Sequence, residues 1–327
     1  MEFNTKNIAY IAQKLDKMLK NCMLCPHECR VNRKNAQTGF CKAGNVPVIS
    51  SAMAHHGEEP PISGTFGSGT IFFTYCNMAC VYCQNYQISQ EHAGNAITVE
   101  QLSQEMLKLQ RSGCHNINLV SPTIWIPQIA AAFLIAKITG LFIPLVYNTG
   151  GYERLQTIRL LEGMIDIYMP DIRYSNDEMA EKYSGIKQYV KHNRQSIKEM
   201  YRQVGGLVLD KNGIAKKGLL IRLLVLPGNI AGIKETLDFI KDELSEDVFL
   251  SIMAQYHPEY KALMYPELAL RVTAKEYFEV VNYAEKLGLI NGWTQDHIPV
   301  KEDLFRPDFN TKEVFKYYKD DKDNKDD

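Results

Sequence analysis

The sequence predicts an α/β protein built on parallel strands, and two observations carry that reading. Six short apolar runs alternate with longer amphipathic stretches from about residue 69 onward, and no repeat or low-complexity block breaks the series. A strand-then-helix unit repeated in this way returns by a right-handed crossover each time and lays its strands parallel. Six units fall short of the eight that close a full barrel, which leaves a doubly wound open sheet or a partial barrel. Either one gathers ligands at the carboxyl ends of its strands.

Taken in order, residues 4–20 put Ile8, Ile11, Ala12, Leu15, Met18 and Leu19 on one stripe and read as an amphipathic helix. The cysteine-rich stretch 22–44 follows, too short and too polar to build its own core. The expected strands are 69–74 (GTIFFT), 117–121 (INLVS), 143–148 (IPLVYN), 165–169 (IDIYM), 219–225 (LLIRLLV) and 248–254 (VFLSIMA). One helix opens at Thr98 with a capping-box spacing to Gln101, and another near Pro127, a good first-turn residue. Others are expected over 152–162, 176–204 with a break near Gly185, 232–244 and 273–287. LVLDKNGIAKKGLL reads as a hairpin turning on Asn212-Gly213. This divides the chain into a helix and cysteine-rich segment (1–50), a core (51–300) and a charged tail (301–327) expected to be flexible.

The 327 residues are 45% apolar and 23% charged, with a formal net charge of −1, so no electrostatic footprint for nucleic acid stands out. The first twenty residues lack a signal peptide's apolar run. IPQIAAAFLIAKITGLFIPLV is cut by Pro127, Gly140 and Pro144, which argues against a membrane span. A cytoplasmic protein is the expectation. There the eight cysteines are poor candidates for structural disulfides. They form two clusters, Cys22/Cys25/Cys29/Cys41 and Cys76/Cys80/Cys83, and clustering on this scale points to metal or iron–sulfur ligation. The lone Cys114 reads as a small buried residue.

Cys76, Cys80 and Cys83 stand as C-x3-C-x2-C in the loop after the first expected strand, with no fourth ligand nearby. Structural zinc takes four protein ligands, and catalytic zinc with three usually includes histidine. All-thiolate ligation suits zinc or an iron–sulfur cluster. A 4Fe-4S cluster on three cysteines keeps one iron free for a small molecule. The four N-terminal cysteines instead form C-x2-C-x3-C-x11-C, a closed set. It suits structural zinc or a fully ligated second Fe-S cluster.

With Tyr82 as its aromatic, the C-x3-C-x2-C loop resembles the hallmark of the radical S-adenosylmethionine (SAM) superfamily. The resemblance implies a partial (β/α)6 barrel. It also implies a 4Fe-4S cluster on Cys76, Cys80 and Cys83 that cleaves SAM reductively to a 5′-deoxyadenosyl radical. Over residues 64–260 the chain looks most like the pyruvate formate-lyase activating enzymes, at GTIFFTYCNMACVYCQNYQIS, YNTGGYE, YMPDIRY, IRLLVLPGN and SIMAQYHP. A variant of that family with an N-terminal CxLCPxxC…GxC stretch is similar to CMLCPHECRVNRKNAQTGFCKAG.

By that resemblance Tyr82 packs near the adenine, Asn148, Thr149, Met169 and Asp171 flank SAM and a monovalent cation, and His257 lies near SAM. The sequence departs from it in three places. Asn148 stands for an aspartate, Arg173 for a lysine, and LVSPTIW for a Gly-Gly-Glu end of the second strand. Ser121, Thr123 and Gly150-Gly151 are offered as substitutes for the last. His55-His56 is expected in solvent.

The implied task is hydrogen abstraction from a glycine of a partner glycyl-radical enzyme, with electrons from an external flavodoxin- or ferredoxin-type donor. Alternatives are radical modification of a peptide or small molecule, a non-enzymatic electron-transfer or carrier protein, and a zinc-ribbon adaptor. No residue is assigned to substrate chemistry.

Overall fold

A computed structural model describes residues 5–295, 307–311 and 314–315. The rest of the expected tail lies outside the described residues. In chain order the elements begin with α1 (Thr5–Met18), β1 (Val48–His55), α2 (Pro60–Ser63), β2 (Ser68–Phe73), α3 (Tyr86–Ser89), β3 (Asn95–Ala96) and α4 (Val99–Arg111). They continue with β4 (Ile117–Val120), α5 (Ile126–Ile138), β5 (Leu145–Thr149), α6 (Leu155–Leu160), β6 (Ile167–Pro170), α7 (Asp177–Ser184) and α8 (Tyr189–Val204). The last are β7 (Val208–Leu209), β8 (Ala215–Leu224), α9 (Ile233–Glu243), β9 (Phe249–Met253), α10 (Ala274–Lys286) and β10 (Gly292–Thr294).

Strands β2, β4, β5, β6, β8, β9 and β10 pair in parallel and stand across the sheet in chain order. A doubly wound sheet reverses its order at a switch point. This one never reverses, so successive crossovers wind the same way and the sheet is a partial barrel. The six expected strand–helix units are present. β10 adds a seventh parallel strand that three residues of sequence did not reveal. On the opposite edge β1 pairs antiparallel with β2 and β3, and neither β1 nor β3 was foreseen.

Local chemistry explains the boundaries. Thr98 and Gln101 form the expected capping box at the start of α4. Gly185, at φ 65°, ends α7 in the left-handed conformation that favours glycine, and the chain restarts as α8. The hairpin turns over Asp210–Gly213, so β8 begins at Ala215 rather than 219 and pairs with β7.

Helix α5 is apolar nearly all round because α1 and α4 cover it. Ile8, Ile11 and Leu15 of α1 are buried in the main core, and Asn7 Nδ2 donates to the Glu162 carbonyl at 3.2 Å.

Strand residues alternate between two environments. Tyr147, Tyr168, Leu219 and Ile221 join the main core, with Tyr168 donating to Gln203 of α8 at 2.8 Å. Val146, Ile167 and Leu220 face the barrel interior and close its lower part with Ile62. Two residues further along β5 and β8 the interior side chains become Asn148 and Arg222, and Asp171 joins them just past the end of β6. Cys114, 2% exposed, is the small core residue expected.

Candidate active site

The interior opens at the carboxyl ends of the strands into a cavity of about 430 Å³. Its wall includes Phe72, Val120, Asn148, Asp171, Arg222 and Ser251 from the strands and their ends, and Tyr82 and Cys83 from the loop after β2. The volume falls within the range of small-ligand sites, roughly 300–1,000 Å³.

The loop after β2 departs sharply from the strand. Thr74 donates its N–H to the Val48 carbonyl, and Tyr75 follows at φ 66°, a conformation uncommon outside glycine. The Tyr75 ring stacks on His92 at 4.1 Å, and Trp125 Nε1 donates to the Thr74 carbonyl at 2.7 Å. Further along, the amides of Ala79 and Val81 donate to the Ser184 and Tyr183 carbonyls at the end of α7, both at 2.9 Å. Pinned this way, the loop brings Cys76, Cys80 and Cys83 into mutual electrostatic contact.

Each sulfur has a hydrogen-bond partner. Cys80 Sγ accepts from Ser184 Oγ at 2.9 Å, Cys76 Sγ accepts from the Met78 amide at 3.4 Å, and Cys83 Sγ lies 3.2 Å from Ser89 Oγ. Burial, and after it the charge of Cys80, push the Cys76 thiol up to about 12 and the Cys83 thiol up to about 11. Three thiolates here therefore need a compensating cation. Among the described residues no three Cys, His, Asp or Glu side chains stand close enough to share one metal ion.

Tyr82 is 3% exposed, its hydroxyl donates to Tyr174 Oη at 2.7 Å, and its ring meets Tyr256 edge-on at 6.0 Å. Asp171 is gripped twice, by Arg222 Nε at 2.8 Å and by an Arg173 amino group at 2.6 Å. Asn148 Oδ1 accepts from the other side of Arg222 at 2.9 Å. Gly150 allows the Cys76–Cys83 loop and Arg173 to press close, since a Cβ there would lie 2.7 Å from Met78 Sδ.

His257 lies apart from this group. It lines a separate, more open hollow with Tyr86 and Tyr260, its Nδ1 3.2 Å from Glu259 Oε1.

One expectation is corrected. His55 is buried rather than solvated. It lies against Phe315 at 4.2 Å, lines the cavity, and is pushed down to about 4 by burial; only His56 is exposed. Thr123 and Thr149 donate their hydroxyl hydrogens to Glu153, at 2.6 and 2.5 Å. Met169 is a packing residue of the lower barrel.

The sequence reading missed Glu58, Glu59 and Arg222. Glu58 Oε1 accepts from Asn118 at 2.9 Å and Asn148 at 3.4 Å, while Oε2 lies 3.3 Å from Arg222. Burial pushes both glutamates up, and Arg222 opposes the shift. A signal for Arg222 existed: it is the one charge inside LLIRLLV.

A partial barrel of sequential parallel strands, with clustered thiols in its first loop and a mixed-charge mouth, defines a class of cofactor-binding α/β enzymes. Residues 70–240 match the radical SAM superfamily, to which the chain belongs. It is 32% identical to the uncharacterized protein MJ0674 of Methanocaldococcus jannaschii, over 88% of this chain and 82% of that one.

Among solved structures it is similar to a radical SAM methyltransferase from Sphaerobacter thermophilus. That match has TM-score 0.49 and 11% identity, covering 69% of this chain and 65% of that one. It is also similar to SuiB of Streptococcus suis bound to the precursor peptide SuiA, with TM-score 0.47 and 12% identity. The SuiB match covers 68% of this chain and about half of that one, 47%. The family implies a 4Fe-4S cluster and SAM, and the thiol spacing and mixed-charge cavity fit both. No helix among the described residues is long and apolar enough to cross a membrane.

Glu153 gives a test of the strand ends. It is fully buried beneath three hydroxyls, the third being Tyr147 at 3.1 Å, and burial raises its carboxyl from 4.5 to about 7. The folded state therefore favours the protonated form, so its stabilisation is complete below pH 4.5 and is lost as pH rises through about 7. Glu153→Gln, always neutral, should flatten the fall in Tm across that window. An unchanged slope in thermal melts would refute the assignment.

Proposed function

We propose that Cys76, Cys80 and Cys83 hold the 4Fe-4S cluster and that SAM lies beside it in the cavity at the carboxyl ends of the strands. One observation carries this reading: the thiol-bearing loop itself forms part of the cavity wall, through Tyr82 and Cys83. When bound, the pair supplies reductive cleavage of SAM to a 5′-deoxyadenosyl radical that abstracts hydrogen from a substrate. The protein's share is to bind, orient and exclude water.

In this reading Tyr82 offers an aromatic wall, locked by its bonds to neighbouring tyrosines. The Arg173 guanidinium suits the SAM carboxylate, and Asp171 with Glu59 suits cationic groups. His257 lines the neighbouring hollow rather than this cavity. The core of this enzyme is residues 51–300, with 1–50 as its cysteine-bearing appendage. Changing Cys76, Cys80 and Cys83 together to Ala should abolish 5′-deoxyadenosine formation by anaerobically reconstituted protein. Undiminished SAM cleavage in that variant would sink the proposal.

The resemblance to activating enzymes places a monovalent cation between the positions of Asn148 and Asp171. Here the Arg222 guanidinium bridges both side chains, at 2.9 and 2.8 Å. We read Arg222 as a built-in replacement for that cation. SAM affinity should then be the same in sodium, potassium and choline chloride, whereas Arg222→Ala should make it depend on sodium or potassium. A wild-type chain that loses affinity in choline would overturn this.

For the substrate we put first a backbone glycine of a partner glycyl-radical enzyme, with electrons from a flavodoxin- or ferredoxin-type donor. The support is the agreement of YNTGGYE and YMPDIRY with the activating enzymes, placed here at the cavity mouth. A peptide or small molecule comes second, favoured by the Asn148 and LVSPTIW departures at the same mouth. Incubation of reduced enzyme and SAM with glycyl-radical enzymes of the same organism should yield a glycine-centred doublet in the electron paramagnetic resonance spectrum. SAM cleavage driven only by another substrate, with no doublet, decides for the second reading.

A further inference from the structure

The four N-terminal cysteines are absorbed by nothing above. The structure brings them together: Cys22, Cys25, Cys29 and Cys41 line one pocket, closed by the apolar side chains of Leu24, Val31, Phe40 and Ile124. Backbone amides point at the sulfurs. The Phe40 N–H donates to Cys29 Sγ at 3.4 Å, and the amides of His27 and Ala43 do the same for Cys25 and Cys41. Gly39 packs so tightly that a Cβ would sit 2.6 Å from Cys29 Sγ. Amide-to-sulfur bonds of this kind stabilise metal-bound thiolates and tune iron–sulfur potentials.

Four thiols lining one closed pocket make a fully ligated centre, either a tetrahedral zinc about 2.3 Å from each sulfur or an iron–sulfur cluster. Zinc is redox-inactive, so the contact this pocket makes with the catalytic loop favours the cluster.

Charge calls for a filled site. Arg33 is 1% exposed and borders the same pocket. Its guanidinium donates to the Gly44 carbonyl at 2.9 and 2.6 Å and to the Ile124 carbonyl at 2.7 Å, and it lies over the Trp125 ring. No carboxylate among the described residues pairs with it. A buried cation with only neutral partners calls for negative charge nearby, which a thiolate-bound cluster supplies.

The pocket also touches the catalytic loop. His27 stacks on Phe40 at 3.9 Å, and its Nε2 lies 2.9 Å from the carbonyl oxygen of Asn77, the residue after Cys76. We propose that Cys22, Cys25, Cys29 and Cys41 hold a second, fully ligated 4Fe-4S cluster that delivers single electrons to the cluster on Cys76, Cys80 and Cys83. An external one-electron donor of the ferredoxin or flavodoxin type is oxidised as the second cluster is reduced. The second cluster is reoxidised as the catalytic cluster takes the electron, and no proton or leaving group moves. The delivery step rests on the reading of the catalytic triad; the second cluster does not.

Anaerobically reconstituted full-length protein should carry about eight irons, and the Cys76/Cys80/Cys83→Ala variant about four with little zinc, as two cubanes and one require. The remaining cluster in the variant should give a resonance signal indifferent to SAM, because all its irons are ligated. Should that variant fail to fold, the wild-type spectrum decides, by showing one SAM-responsive and one SAM-indifferent signal. About one zinc in the triad variant, or no metal, overturns the second cluster. A wild-type chain with only the SAM-indifferent signal would instead sink the triad assignment and leave this one standing. In a Cys22/Cys25/Cys29/Cys41→Ala variant, reduction by flavodoxin should be lost while dithionite still reduces the SAM-responsive cluster. Unchanged reduction by flavodoxin overturns the delivery step.

Discussion

The hydrogen bond from the Trp125 indole to the Thr74 carbonyl fixes the point at which the first parallel strand becomes a cofactor loop. Trp125 is fully buried, with Arg33 over its face at 5.1 Å and Tyr75 against its edge at 6.0 Å. One ring thus joins the end of β2, the entry to α5 and the cysteine-rich segment. Removing it would empty a site worth about 3–5 kcal/mol by ordinary large-to-small losses and strand a buried carbonyl at roughly 1–3 kcal/mol more. The strained Tyr75 backbone persists because these neighbours over-determine it.

The cavity mouth follows a second constraint. Arg222 sits on a central strand where an isolated charge would be costly to bury. It is kept ionised by Asp171, Glu59 and Glu58, with Asn148 satisfying its remaining side. Each acid in turn depends on that guanidinium. The group is therefore stable only as a set, and it forms a polar floor above the apolar side chains of Ile62, Val146, Ile167 and Leu220.

The fold was legible because the parallel strands are buried on both faces, which writes them as continuous apolar runs. β1 was hidden for the opposite reason. VISSAMAH lies near a sheet edge, mostly half-buried, and shows neither a run nor a clean alternation. The clustered thiols and Asp171 were legible from spacing and strand ends. Glu58 and Glu59 were not, because nothing local in GEEPPISG shows that its loop plugs the barrel. His55 misled for a similar reason: the ring that buries it, Phe315, comes from the far end of the chain. His257 follows its strand as expected, yet backbone placement alone does not aim a side chain into a cavity.

The packing of α1 on α5 has a consequence for how the protein is made. Helix α1 cannot bury its apolar stripe against α5 until α5 has emerged from the ribosome, and the Leu24 carbonyl gains its hydrogen bond only when Thr157 has followed, at 2.8 Å. The triad loop waits longer, because Val81 is clamped by the amide of Lys261 as well as the carbonyl of Tyr183. At ordinary synthesis rates those two completions fall roughly 5 to 20 seconds apart. The cysteine quartet can thus be shaped while the loop of the triad is still open.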